Sequence, residues 1–380
     1  MTLALTITLL YNGIVAGYLV NMERNLLDYM IGDIQIFAKD YKGNPSIYNR
    51  IENSEELLKN LDSAGYPASG RLLAAGLGAA EDTSSGVSFI GIEKDRDAKV
   101  SKMFEQVLSG EWLDPNVKHG VVIGRRLAKT LGLKVGDQLV TLTQAADGGM
   151  ANELYDVRGI LKSVSDVSDR TGVFMNAEDY HELMVISKGA HQVIVRTHPG
   201  EDLVSAVDKI RSFAKGLDVR SWKQLMPTIS SMLESTQGMI AIMSFIIYIA
   251  IGILILNAML MSVFERVREF GVMKALGVSP FGVMSLILAE TAIQTVLSII
   301  SALILSAPML WHLTVSGFRF SSLESMSLMG LAWDPHMYAI VTPASFVTPI
   351  VMLIFVVSMA VIYPALKAAL ITPVKAIHHQ

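Results

Sequence analysis

Residues 239–264 read MIAIMSFIIYIAIGILILNAMLMSVF, and residues 265–280 follow as ERVREFGVMKALGVSP. The first run has Asn257 as its one clearly polar member. It exceeds the roughly 20 apolar residues that a bilayer crossing needs, so it reads as a membrane span with some tilt or overhang. The second run changes character at once. Glu265, Arg266, Arg268 and Glu269 crowd its first turns, and Leu276-Gly277 offers a place for a helix to stop. A short amphipathic helix on the membrane face, presenting Glu, Arg and Lys to a cytosolic partner, is one reading of it. A plain basic loop between two spans is the other.

Working outward, three more stretches are long and apolar enough to cross. They are Thr2 to Val20, interrupted by Asn12; Phe281 to about Leu310, carrying Glu290 and Gln294; and Ser345 to about Leu366, closed by Tyr363-Pro364. No Lys or Arg precedes Thr2, and Val20-Asn21-Met22-Glu23 is a poor cleavage site. The first stretch therefore reads as a retained span rather than a signal peptide.

Between the first two spans the glycines, prolines and most charges collect. Alternating runs at Ile34–Phe37, Val87–Ile90, Gly120–Ile123, Gln138–Leu142 and Gln192–Val195 predict strands. Helices are expected at Ser54–Leu61 behind an Asn53 or Ser54 cap, at Arg125–Leu131 ending on Gly132, and at Glu201–Ala214. The fold class is thus a four-helix membrane protein with a large α+β domain between the first and second helices. The expected divisions are a first span at 1–21, the α+β domain at 22–237, a second span at 238–264 and a cytoplasmic helix at 265–280. A third span at 281–310, a short outer loop at 311–344, a fourth span at 345–367 and a tail at 368–380 follow. Arg266, Arg268 and Lys274 in one link and Lys367 and Lys375 in the tail place both inside the cell. The large domain is then outside.

Of the 380 residues 17% are charged, the net charge is −4, and there is no Cys. Those figures argue against a nucleic-acid-binding protein and exclude disulfides and thiolate metal sites. No phosphate-binding Gly-rich loop with Lys-Ser/Thr is present, so this chain cradles no nucleotide by that means. His119, His181, His191 and His198 have no ligand spacing, and His378 and His379 end the chain. No catalytic or metal set emerges.

The segment from Glu265 to Gly277 closely resembles the E-R-x-R-E-I/F-G-x-x-K/R-A-L/I-G-A/V signature of the FtsX/MacB/Lol family of ABC-transporter permeases. Two further matches are Glu290 within Leu288-Ala289-Glu290-Thr291-Ala292, and the tail Pro364-Ala365-Leu366-Lys367-Ala368-Ala369 followed by Thr372-Pro373-Val374-Lys375-Ala376-Ile377. More loosely, Gly110-Glu111-Trp112-Leu113, Gly120 to Ala128 and Leu131 to Asp137 resemble that family's periplasmic domain. The likeness is strongest to its lipoprotein-releasing group.

What the resemblance implies is a coupling helix in which Glu265, Arg266, Arg268, Glu269, Gly271, Lys274, Ala275, Leu276 and Gly277 meet a cytosolic ATPase. ATP and Mg would sit on that partner, with no cofactor on this chain. It implies a second permease, identical or related, a bacterial inner-membrane location, and a periplasmic lipoprotein carrier as a further partner. A non-transporting regulator of an extracytoplasmic protein and an exporter of peptides or drugs share the architecture and are the rival functions. The chain departs from the family pattern in beginning almost inside its first span, without a basic amphipathic leader. It also has Ser298, Ser301 and Ala302 where the third span is commonly Gly-rich.

Two candidate sites lie in the spans. Glu290 is either a working intramembrane carboxylate or, the reading favoured here, a structural partner of a neighbouring span or of the coupling segment. Met239, Met243 and Ile247 form an i, i+4, i+8 stripe able to adapt to acyl chains along a substrate path, against the plainer reading of lipid-facing packing.

Overall fold

The computed structural model describes residues 1–319, 327–328, 331–332 and 336–370. The tail motif Thr372–Ile377, Lys375, His378 and His379 lie outside them, as does part of the loop expected at 311–344.

In chain order, α1 (Thr2–Leu26) leads into β1 (Ile34–Phe37), α2 (Ser54–Ser63), β2 (Ala68–Ala80), β3 (Thr83–Ile92), α3 (Lys94–Asp97), β4 (Val107–Gly110) and β5 (Gly120–Ile123). Next come α4 (Arg125–Leu131), β6 (Gln138–Gln144), β7 (Met150–Leu161), α5 (Asp166–Thr171), β8 (Gly172–Asn176) and α6 (Ala177–Met184). Then β9 (Gln192–Val195), α7 (Leu203–Phe213), β10 (Asp218–Ser221) and α8 (Trp222–Leu225) complete the intervening domain. The chain continues as α9 (Pro227–Glu265), α10 (Val267–Ala275), α11 (Pro280–Val315) and α12 (Pro343–Ala369). Four of these helices, α1, α9, α11 and α12, are long and apolar enough to span a membrane.

The spanning helices and the domain between α1 and α9 form two separate compact units. In the domain, β1 lies between β9 and β10 in antiparallel register. This sheet packs Ile34, Ile36, Val193, Val195 and Val219 against Leu57 and Leu61 of α2 and Ile210 of α7. Strands β2, β3, β8, β5, β7 and β6 pair in that order, and β6 pairs back onto β2, which closes a ring. Closed strand arrangements face alternate residues inward, and β6 obeys: Leu139, Thr141 and Thr143 are buried while Val140 and Leu142 are exposed.

The unbroken apolar run of β5 has a different cause. Val121 and Ile123 enter the ring's core with Leu139, Tyr155 and Val173, whereas Val122 packs with Phe174, Leu113 and Leu161 on the other side. A strand buried on both faces carries no polar alternation.

One ion pair is fully interior. Arg71 of β2 meets Asp97 of α3 through two bonds, Nε to Oδ1 at 2.8 Å and Nη2 to Oδ2 at 3.1 Å. Both side chains are under one-tenth exposed.

Among the spanning helices, Leu5 and Leu9 of α1, Tyr248, Ile251 and Ile255 of α9, Ala302 of α11 and Leu353 and Val357 of α12 make one core. Close approach at one end depends on glycine. A Cβ on Gly17 would lie 1.9 Å from the carbonyl oxygen of Tyr338. Nearby, the amide of Ile340 donates to the Gly13 carbonyl at 3.1 Å.

Candidate coupling site

Helix α9 stops at Glu265 and α10 begins one residue later, with Arg266 at φ −103°, ψ 14° between them. The end of α10 is set by sequence. Gly277 takes φ +98°, its amide bonds the Lys274 carbonyl at 3.1 Å, and the Val278 amide reaches back to Met273 at 3.1 Å. That pair of bonds ends a helix on a left-handed glycine, a conformation disfavoured for any residue with a Cβ. Ser279 then caps α11 by accepting from the Gly282 amide at 3.1 Å, and Pro280 opens it.

The helix so bounded has two faces. Val267, Phe270 and Gly271 are buried, at the i, i+3, i+4 spacing of one stripe. Phe270 packs with Val263 of α9, Val283 and Ile287 of α11, and Ala365 and Ala368 of α12. Polar groups fasten the same face. Arg266 donates from Nη1 to Glu290 of α11 at 2.7 Å and from Nε to Glu269 at 2.9 Å. Its guanidinium also lies over the Phe270 ring, 5.4 Å from the centroid. The bonds to Glu269 and then Glu290 raise its pKa further. Lys274 donates to the carbonyl of Ala369, at the end of α12, at 2.6 Å, where a cation also suits the helix dipole. Lys367 of α12 sits over Phe264 of α9, 4.6 Å from the ring centre. Three spanning helices thus grip one short helix.

The opposite face is open. Glu265, Arg268, Glu269, Ala275, Leu276 and Gly277 are exposed, and Arg268 makes no ion pair among the described residues. Leu276 is 83% exposed, and Phe281, Val272 and Val278 join it. Exposed apolar side chains ringed by charge mark a protein or membrane contact. The nine residues singled out by sequence therefore divide. Arg266, Gly271 and Lys274 bind inward, and the other six face outward. Val272, Val278 and Phe281 were not singled out. The signal for Val272 was the i, i+4, i+8 row from Arg268 through Val272 to Leu276; Val278 and Phe281 lie past the end of α10 and off that row.

Glu290 accepts from Arg266 of the short segment at 2.7 Å. It also lines a cavity of about 430 Å³ with Gln294, Ser262, Ile251, Ile255 and Ala4. The methionine stripe is less coherent. Met239 and Met243 are exposed on α9, but Ile247 turns toward the helix core. The groove of about 380 Å³ between α9 and α12 is lined instead by Phe245, Tyr248, Gly252, Phe355 and Met359. Among the described residues no three His, Asp or Glu side chains converge as metal ligands.

Residues 1–213 match the MacB-like periplasmic core domain, and residues 241–373 match the FtsX-like permease C-terminal family. The chain is similar to the lipoprotein-releasing system transmembrane protein LolC of Xylella fastidiosa, with 25% identity over 308 residues, 76% of this chain and 72% of that protein. It is also similar to the ABC transporter permease MJ1507 of Methanocaldococcus jannaschii, 27% identical over 192 residues, 48% of this chain and 46% of that one. A crystal structure of the periplasmic region of MacB from Actinobacillus actinomycetemcomitans aligns with a TM-score of 0.39 at 12% identity, covering 53% of this chain and 94% of that one. With its two matched regions spanning most of its length, the chain belongs to the FtsX/MacB family of ABC-transporter permeases.

Proposed function

We propose that this chain is the membrane subunit of a bacterial inner-membrane transporter that withdraws lipoprotein, or another amphipathic substrate, from the outer leaflet. A separate cytosolic ATPase, carrying ATP and Mg, docks on residues 265–277. The observation that carries this reading is the two-sided build of α10, fastened inward by Phe270, Arg266 and Lys274 and open outward at Leu276, Arg268 and Glu265. A short helix held by three spans converts a push on its outer face into movement of all three. The likeness to a lipoprotein-releasing protein supports the choice of substrate. The chain works as a pair, with itself or with a related permease, and a periplasmic carrier takes the cargo from the outer domain. It performs no covalent chemistry itself.

Glu265→Lys with Glu269→Lys is the direct test. Individual surface ion pairs contribute at most about 1 kcal/mol, so one reversal is too gentle. The double reversal is expected to lower ATPase copurification at least tenfold. Leu276→Asp should do the same, since burying a leucine at a contact is worth roughly 1.5–3 kcal/mol. Undiminished copurification with normal coupled hydrolysis would refute the docking site.

Orientation has its own check. Asp147 is exposed in the turn between β6 and β7, and the chain has no native cysteine. Asp147→Cys should react with an impermeant maleimide in intact spheroplasts. Labelling that appears only after lysis would reverse the topology.

A further inference from the structure

The strand ring carries an outward face that its own fold leaves unused. Register sets Leu77 of β2 directly across from Leu142 of β6, and Ala79 across from Val140. Leu154 of β7 lies opposite Val140 on the other flank, and Met150 opposite Gln144. Residues directly opposed in an antiparallel pair share a face. Leu77, Val140, Leu142 and Leu154 therefore form one tract across three strands, each at least 36% exposed, and Met150 extends it at 73%. On β3 the same rows continue with Ser84 and Gly86, which add no charge. A tract of this kind differs from the scattered exposed leucines of any protein surface.

The charge carried by its strands is predominantly acidic. Segments 72–92 and 135–157 hold Glu81, Asp82, Asp137, Asp147, Glu153 and Asp156, and no Lys or Arg. Asp156 lies opposite Gln138, one row beyond Val140, and Glu81 follows Ala80 at the same end of β2. Glu81, Asp82, Asp137 and Asp156 therefore gather at one end of the tract, with Asp147 in the turn at the other. Of the two arginines that border these segments, Arg71 is paired with Asp97, and Arg158 is paired with Glu111 in a hollow that Asp156 also lines. Lys134 precedes β6, and its amide donates to the Asp137 carboxylate at 2.7 Å, so the acids at this end outnumber the cations without excluding them.

We propose that this face docks a basic polypeptide segment with apolar side chains at its centre. Apolar residues would cover Leu77, Val140, Leu142 and Leu154, and Lys or Arg at the segment's ends would reach the acids. Charge decides against other occupants. In a symmetric contact between two copies the same acids would confront one another, and an anionic lipid surface would be repelled as well. The inference rests on strand register and charge, and it does not depend on the transport reading.

The test uses the full chain in nanodiscs of zwitterionic lipid and two labelled synthetic peptides. Both have a leucine–serine core, one with two lysines at each end and the other with two glutamates. The lysine peptide should bind the loaded discs above empty ones. Raising salt from about 50 to about 500 mM should weaken it several-fold by screening. Leu142→Asp, a change on an exposed position that leaves the ring core untouched, should weaken it at least tenfold. Glu81→Lys with Asp82→Lys should weaken the lysine peptide and strengthen the glutamate one. Equal binding of both peptides, binding unchanged by Leu142→Asp, or no binding above empty discs would overturn the proposal. So would self-association of the chain that Leu142→Asp abolishes.

Discussion

Arg266→Glu is expected to abolish transport-coupled ATP hydrolysis while the ATPase remains bound, and adding Glu290→Arg to the same chain is expected to restore coupling. In the native site Arg266 bridges Glu269 and Glu290 at 2.9 and 2.7 Å. A carboxylate at position 266 turns both attractions into repulsions and loses the contact with Phe270. The two native groups are one-third to two-fifths exposed, so solvent moderates the pair energy and charge reversal is a fairer probe than neutralisation. The expected loss of coupled hydrolysis is at least tenfold. Docking survives because Glu265, Arg268 and Leu276 on the other face are untouched. Rescue by the exchanged pair, with the ATPase bound in both variants, ties the loss to this pair rather than to misfolding. Full coupling in the single variant would remove the brace from the mechanism.

That brace shows where sequence reading stops. Glu290 was visible as a carboxylate inside an apolar run, but its partner lies 24 positions away and only the return of the chain through α10 brings the two together. Lys274 likewise was singled out as a residue meeting the ATPase, and nothing in the sequence pointed to its bond with the Ala369 carbonyl at the end of α12. The spans were legible because membrane crossing demands an apolar length that little else does. Strands β1, β5 and β9 and the core of β6 were legible from short apolar or alternating runs, and α4 from its terminal Gly132. The long strand β2 was not, since ASGRLLAAGLGAA is made of residues with low strand preference. Its conformation comes from neighbours, β3, β6 and β9, that flank it in turn. The polar first half of β7 was hidden for the same reason. Asn53 does take the cap position of α2, yet its side chain makes no capping bond. Ile247 failed the stripe reading because α9 is apolar all round, and periodicity then says nothing about which side meets the helix core.

The largest effect on folding is expected from Asp97→Asn. It leaves the Arg71 guanidinium buried beside a neutral amide where two charge-assisted bonds of 2.8 and 3.1 Å stood. Breaking a buried pair from one side costs about 3–5 kcal/mol, because the buried guanidinium loses its opposing carboxylate. For a domain of about 200 residues that lowers Tm by roughly 6–20 °C. Arg71→Met with Asp97→Leu removes both charges and should recover much of the loss. Thermal unfolding followed by circular dichroism on the full chain would decide it. An Asp97→Asn protein that melts with the wild type would show that water already reaches the pair.

The position of β1 bears on how the chain is made. Ile34 pairs with Val195 on one side and with Ser221 on the other. At a synthesis rate of about 5–20 residues per second, its two neighbours emerge roughly 10–40 s after it does. The first strand to leave the ribosome is thus among the last to find its place, and its apolar Ile-Gln-Ile-Phe must be kept from other company meanwhile. Folding from the N-terminus forward is closed to this domain. The sheet around β1 waits for the domain's last strand, and the second spanning helix, α9, begins only a few residues after Ser221.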